Sequence, residues 1–316
     1  MRFSPESPLI VWRLIDGKPG HEKQSLGLVR ALSRHIAVKI HDIRIDSAFS
    51  NSIDWLLGRF PAGAGLPDPH LLIGAGHRTH AALLAARRAR GGRAVVLMQP
   101  SLPTRLFDLC LIPEHDQPAA RPTIVTTRGA LNAVTPGRQH RSELGLILIG
   151  GPSSHYAWDT KPILEQIDRL LRATPEVHWR LTTSRRTPVD FLARLPSLAN
   201  LEISPCTATP PGWLEAELAQ AGQAWVTEDS VSMVYEALTA GCAVGLLRLP
   251  HGEGIDRVAR GVERLIRDGW VVPFDTWHPG QPMLSAPEGF DEADRCAQLI
   301  LSRWFHFHPK PAKHPR

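Results

Sequence analysis

The sequence is poor in the residues that mark several large functional classes. Aromatic residues make up 6% of the 316 positions, with two tyrosines among them, and no stripe of stacking side chains appears. A nucleic-acid-binding surface is therefore not expected. The four cysteines, Cys110, Cys206, Cys242 and Cys296, are scattered through mostly apolar surroundings without a Cys-x-x-Cys pair, which implies reduced, packed thiols in a reducing compartment. No apolar run reaches the roughly 18 residues that a membrane helix needs. The run "PLIVWRLI" (8–15) is too short for that and lacks a small-residue cleavage site, so it reads as a buried strand and not a signal peptide. These absences predict a cytoplasmic protein, with peripheral contact at the inner membrane face as an added expectation.

Two nucleotide-binding signatures are also missing. "IDGKPGHEKQS" (15–25) does not end in Gly-Lys-Ser/Thr and is no Walker loop. In "LLIGAGHRTH" the third glycine of the dinucleotide fingerprint is replaced by Thr79, and "RAVVLMQP" carries no acidic residue at its end. NAD binding is not expected. His77 and His80 are three apart, looser than the i, i+4 zinc pair, and "PEHD" (113–116) reads as a local polar network. No cofactor and no metal are expected.

What is present is alternation. Short apolar runs alternate with helical stretches, as in parallel sheets with crossover helices. Strands are predicted at 8–15, 70–76, 93–100, 107–113 and 123–129, with helices over 26–36 and 77–92, the latter stopped by Gly91 and Gly92. Apolar content collapses over "NAVTPGRQHRSE" (132–143), where a domain boundary is placed. A second series follows, with strands at 144–151, 177–184, 201–205, 223–227 and 243–249. Its helices are predicted over 161–174, near 191–195, and over 212–222, 231–240 and 290–304. The fold class is α/β: two Rossmann-like domains, 1–138 and 139–316, with parallel sheets facing a cleft and the last helix crossing back to the first domain.

Ligands of such sheets sit beyond the carboxyl ends of strands, where helix amino ends attract phosphate. Three junctions in the second half have this character. "VTEDSVSMVYEA" (226–237) places Thr227, Asp229, Ser230 and Ser232 between strand and helix, with Glu236 one turn beyond Ser232 on the same face. Asp229 or Ser230 could simply cap the helix, but a cap does not explain Glu236, which is suited to ribose hydroxyls. "LIGGPSS" ends a strand with Gly150 and Gly151, allowing close backbone approach, and offers Ser153 and Ser154. "LTTSRRTP" sets Arg185 and Arg186 at a strand end, either as a diphosphate clamp or as a solvated loop. In the first half, Asp16, Lys18, Gly20 and His21 follow the first strand, and His21 is the acid/base candidate. A net charge of +5 suits an anionic small molecule or an acidic membrane surface.

"DGKPGHEKQSLGL", "GAGHRTH", "MQPSLP", "FDLCLIPEHD", "TRGALN", "LIGGPSSHYAW", "TTSRRTP" and "VTEDSVSMVYEALTAG" together resemble the mitochondrial-fission Elm family over most of residues 10–250. The layout is in turn similar to GT-B glycosyltransferases, particularly the peptidoglycan N-acetylglucosaminyltransferase. That resemblance implies a Gly-His loop at Gly20-His21, a glycine loop at Gly150–Ser154, a phosphate-binding arginine at Arg185 or Arg186, and a ribose-binding carboxylate at Glu236. Thr-Glu-Asp-Ser (227–230) stands where that enzyme has a small Gly- and Ala-rich turn, so the donor is left open. It implies a metal-independent transferase with a nucleotide-sugar donor and an acceptor that is membrane-associated. The alternatives are a non-catalytic recruitment protein, as the plant fission relatives are, and a sugar-nucleotide epimerase. The basic tail "HPKPAKHPR" (308–316) reads as a solvated end.

Overall fold

The computed structural model describes residues 7–45, 48–153, 156–250, 257–281, 283 and 288–305. Ser154 and the basic tail lie outside the described residues. The chain divides into two compact units, Met1–Ala133 with Glu292–Arg316, and Val134–Asp291.

In the first unit, β1 (Leu9–Ile15) runs into α1 (Pro19–His35), which opens on a proline in its first turn, where a missing N–H costs nothing. β2 (Val38–Arg44), α2 (Ala48–Leu57), β3 (Leu71–Ala75), α3 (His80–Arg90), β4 (Arg93–Leu97), β5 (Leu109–Pro113) and β6 (Ile124–Thr127) follow. The strands form a parallel sheet ordered β2-β1-β3-β4-β5-β6. β3 and β5 are buried along their whole length, as parallel strands covered on both faces must be. The predicted helix at 77–92 begins instead as a single 3-10 turn over His77–Thr79, and Gly91 ends it with a left-handed φ of +79°. β2 and α2 were not foreseen. β2 is an edge strand with mostly solvated side chains, so pairing with β1 holds it where no apolar pattern announces it.

In the second unit the order along the chain is β7 (Arg141–Ile149), α4 (Thr160–Ala173), β8 (His178–Thr183), β9 (Leu201–Ile203), α5 (Trp213–Leu218), β10 (Ala221–Thr227), α6 (Val231–Ala240), β11 (Ala243–Leu247), α7 (Arg257–Arg267) and β12 (Val271–Pro273). Asp159 caps α4 by accepting from the Lys161 N–H at 3.0 Å. The sheet is parallel throughout and ordered β12-β11-β10-β7-β8-β9. Counted within the unit this is 3-2-1-4-5-6 from the other edge, the order of the doubly wound Rossmann sheet. The helix predicted at 212–222 is shorter, because Ala221 and Gly222 join β10 and lengthen its ladder with β7. α7 and β12 were also unforeseen; Val262 and Leu265 form the inner side of an otherwise arginine-rich helix.

The last helix, α8 (Glu292–Phe305), belongs to the first unit. Its Ala293, Cys296, Ala297, Ile300 and Leu301 share a core with Leu28, Val29 and Leu32 of α1. The chain is thus built as two Rossmann-like α/β units, each with its own six-stranded parallel sheet and cores on both faces. None of the helices among the described residues is long and apolar enough to cross a membrane.

Candidate functional site

In a doubly wound sheet the crossovers leave to opposite sides at the switch point, opening a crevice at the strand carboxyl ends. In the second unit that point lies between β7 and β10, with β8 adjoining β7. The three polar junctions picked out by sequence are therefore the ends of three neighbouring strands, β10, β7 and β8, and they bond to one another. Thr227 Oγ1 accepts from Gly150 N–H at 2.7 Å, and Asp229 Oδ2 accepts from Gly151 N–H at 3.0 Å. Ser184 Oγ donates to the Gly150 carbonyl at 2.9 Å. A methyl group at Gly150 would fall on the Asp229 and Ser230 side chains, and one at Gly151 on the Arg186 carbonyl. The close approach these glycines allow is therefore by the protein's own turns.

The paired arginines divide. The Arg186 guanidinium donates to the carbonyls of Gly151 (2.7 Å) and Pro152 (3.0 Å), to Asp229 Oδ2 (2.7 Å) and to Ser230 Oγ (3.2 Å). Both of its terminal nitrogens are occupied in tying β8's loop to those after β7 and β10. Arg185, beside it, is exposed and makes no ion pair or side-chain hydrogen bond with the described residues. A forked clamp by both guanidiniums is not the arrangement found.

The acidic turn is similarly organised. The Asp229 side chain is fully buried against Arg186. Glu228, 1% exposed, pairs with Arg248 just after β11 and accepts from Leu249 N–H at 3.1 Å. Arg248 is held in turn by Gln166 of α4, which accepts from its N–H at 2.7 Å. Both carboxylates thus have a guanidinium partner and do not leave net negative charge at the junction. Neither caps α6 in the expected way: Ser230 is the N-cap residue and makes no side-chain cap bond. The first N–H groups of α6 therefore keep no side-chain acceptor, and Asp229 Oδ1 is buried without a partner. Glu236 is buried one turn along α6, whereas Ser232 is exposed, so the face they were expected to share does not have one environment. Arg248, Gln166 and Thr187, which accepts from Ser184 N–H at 2.9 Å, were not singled out by sequence. An arginine at the end of the buried run "AVGLLRL" was the signal available for the first.

In the first unit the switch point lies between β1 and β3. Asp16, its side chain buried, meets His21 Nδ1 at 2.9 Å and accepts from Lys18 N–H at 3.2 Å. The imidazole lies against Gly76 after β3; Gly76 has φ of +82°, and a Cβ there would overlap the ring. Arg13 of β1 donates to the Glu22 carbonyl at 3.1 Å while paired with Asp42 of β2, so the unforeseen strand helps anchor the start of α1. A carboxylate at Nδ1 selects the tautomer whose Nε2 carries a lone pair. Gly20 and Lys18 are exposed, and a Cβ at Gly20 meets nothing.

His80 is 2% exposed, with Nδ1 at 3.1 Å from Ser101 Oγ. Burial, and secondarily the nearby His77, lower its pKa to about 4, so it is neutral near pH 7. Among the described residues no three His, Cys, Asp or Glu side chains converge where a metal ion could be held. Desolvation pushes the Cys110 and Cys242 thiols up to about 12, which leaves them inert.

The model of the mitochondrial fission ELM1 family matches residues 19–304. No curated protein sequence matches the chain. A putative UDP-N-acetylglucosamine 2-epimerase from Listeria monocytogenes is similar in structure, with a TM-score of 0.60 at 14% identity over 96% of this chain and 98% of that one. MnaA of S. aureus, solved with UDP, gives a TM-score of 0.50 at 13% identity over 98% of this chain and 100% of that one. The glycotransferase of kitacinnamycin gives 0.49 at 16% identity over 94% and 100%. At 13–14% identity the likeness to the first two is one of fold, the GT-B-like pair of Rossmann units. The chain belongs to the mitochondrial fission ELM1 family.

Proposed function

We propose that this member of the mitochondrial fission ELM1 family is a glycosyltransferase whose second unit holds a nucleotide-sugar donor at the β7–β10 switch point. The observation that carries the reading is the state of the β10–α6 turn. Its two carboxylates are ion-paired, α6 presents uncapped N–H groups, and Asp229 Oδ1 is buried with an acceptor position unused. The helix amino end and Arg185, unpaired among the described residues, suit a diphosphate. Asp229, whose side chain has no exposed surface, holds the frame, and Glu236, about 6 Å along the helix axis from Ser232 at 1.5 Å per residue, suits the ribose. Ser153, Ser230 and Ser232 supply hydroxyls at the same edge.

In the transfer step the acceptor oxygen bonds to the anomeric carbon as the bond from that carbon to the donor phosphate breaks. The electron pair leaves with the diphosphate, where backbone N–H groups and Arg185 stabilise it. The acceptor proton passes to a general base, a role for which His21, with Nδ1 held by Asp16, has the chemistry. The acceptor is an alcohol; a membrane-borne one reached by peripheral contact is the form that co-sedimentation with anionic vesicles tests.

A second reading, a sugar-nucleotide epimerase, is favoured by the name of the structural relative from Listeria monocytogenes. Calorimetry with UDP and UDP-sugars tests the shared premise, and absence of binding to any nucleotide diphosphate would overturn both readings. NMR of a bound UDP-sugar then separates them. A new isomer without added acceptor indicates epimerisation, whereas UDP release that requires an alcohol indicates transfer. Glu236→Gln is expected to remove any preference for ribo- over 2′-deoxyribonucleotides, and a preference that survives the change would return Glu236 to a core role.

A further inference from the structure

The stretch from residue 48 to residue 108 carries seven arginines and three aspartates. Each aspartate is taken: Asp54 pairs with Arg59, Asp68 with Arg90, and Asp108 with both Arg87 and Arg93. Arg78, Arg88 and Arg105 are left over. All three are exposed, and among the described residues their side chains have no ionic or hydrogen-bonded partner. The fold does not use these cations, and they give this part of the first unit an excess of positive charge.

Two of the three stand beside an apolar helix face. Ile53, Leu56 and Leu57 of α2, at spacing i, i+3 and i+4, share one side of the helix and are 41%, 75% and 59% exposed. Asp54 is buried, and Trp55 packs against the core of the unit. The Arg88 side chain lies against Gly58, just past the helix, where a Cβ would come within 3.1 Å of its Nε. Arg88 borders the same surface groove as Leu56, and Arg105 borders a neighbouring one with Trp55 and Arg88. Arg59, also exposed, follows two residues after Leu57.

A contiguous apolar face left in water is the mark of a surface that something covers. Three side chains fall far short of the roughly 20–30 residues a side that a stable protein interface uses. Two copies paired on this face would set Arg88 and Arg105 of one against the same arginines of the other, which like charge opposes. A lipid surface meets both features. Aliphatic side chains enter the acyl boundary while guanidiniums stay among anionic headgroups. At ten residues α2 is too short to span a bilayer and suits a position along its surface.

We propose that α2 is a docking surface for an anionic lipid bilayer, with Ile53, Leu56 and Leu57 inserted and Arg59, Arg88 and Arg105 on the headgroups. The nucleotide reading concerns the other unit, and loss of UDP binding would leave this surface intact.

Co-sedimentation of the full chain with phosphatidylcholine vesicles, with and without phosphatidylglycerol, tests it. Binding is expected only to the anionic vesicles and should weaken as salt rises. Arg88→Gln and Arg105→Gln should each lower the partition coefficient about fivefold. Leu56→Gln with Leu57→Gln should lower it at least tenfold. These side chains are exposed, so thermal unfolding of the same variants should match wild type. The proposal is overturned if anionic vesicles are not bound, if vesicles without phosphatidylglycerol are bound equally, or if the leucine pair variant binds as wild type does. It is also overturned if the leucine pair change dissociates a dimer of the chain that does not bind vesicles, since the occupant is then a second copy.

Discussion

The switch points of the two units look alike in sequence and differ in what their glycines and charges do. After β7, Gly150 and Gly151 are buried under Asp229, Ser230 and Arg186, and among the described residues every charge in the turn except Arg185 has a partner. After β1, Gly20 faces open space and the His21–Asp16 pair sits at the edge with its imidazole on Gly76. The second unit has a locked ionic frame that presents backbone N–H groups. The first has a titratable side chain held by few contacts. A frame suits an invariant anion, and a lone oriented imidazole suits proton movement.

Removing the frame's central cation should have the largest effect. Arg186→Ala leaves the buried Asp229 carboxylate without its cation and is expected to cost about 3 kcal/mol in urea denaturation, at the low end for a broken buried pair because Arg186 is partly exposed. His21→Ala in the other unit should cost about 1–2 kcal/mol, less than Arg186→Ala because the buried Asp16 keeps its bond from the Lys18 N–H. Equal losses would erase the contrast between frame and lone side chain.

The next effect depends on pH and belongs to the first unit. His80 has its pKa lowered to about 4 in the folded chain, so below its ordinary value near 6.5 the unfolded chain takes up a proton that the folded chain does not. Its contribution is present above pH 6.5 and is lost as pH falls towards 4. Between pH 7 and 4.5 wild type should lose about 2 kcal/mol more than His80→Gln, an order-of-magnitude figure from linkage. Parallel stability curves for the two proteins would refute it.

Glycine replacement sharpens the comparison directly. Gly150→Ala forces atoms onto Asp229 and Ser230 and should destabilise by about 1–3 kcal/mol, the usual scale of overpacking. Gly20→Ala, at an open position without a left-handed φ, should stay within about 0.5 kcal/mol of wild type. The smallest expected change in stability accompanies Arg185→Ala, which should leave thermal unfolding unmoved while weakening UDP binding about tenfold, the scale of one charge-assisted contact. If Arg185→Ala unfolds the protein and Arg186→Ala does not, their roles are the reverse of those the hydrogen bonds assign.

Much of the fold was legible because its signals are local. Buried parallel strands such as "HLLIGAG" and "LGLILIGG" must be continuously apolar, and α3 must stop where Gly91 takes a left-handed φ. β2 was missed because its apolar residues Val38, Ile40 and Ile43 do not keep one alternating face, and as an edge strand it leans on pairing with β1 and on the Arg13–Asp42 ion pair more than on burial. At the candidate site, residue types were legible while partners were not. "LTTSRRTP" shows two adjacent arginines but not that Arg186 is spent on Asp229, 43 residues on, while Arg185 has no ionic partner among the described residues.

The sequence by itself determined the alternation of strand and helix, the parallel class of both sheets, and the hydroxyl- and glycine-rich strand ends. These follow from hydrophobic period and backbone chemistry within a few residues. Only the tertiary structure decided which charges cancel, that α6 goes uncapped, that His80 is buried neutral, and that Gly150 accommodates a neighbouring turn. Each of these depends on strand ends brought side by side by crossover connections, as β7, β8 and β10 are. An ion pair or a desolvated imidazole takes its energy from neighbours distant in sequence, so no local pattern along the chain can announce it.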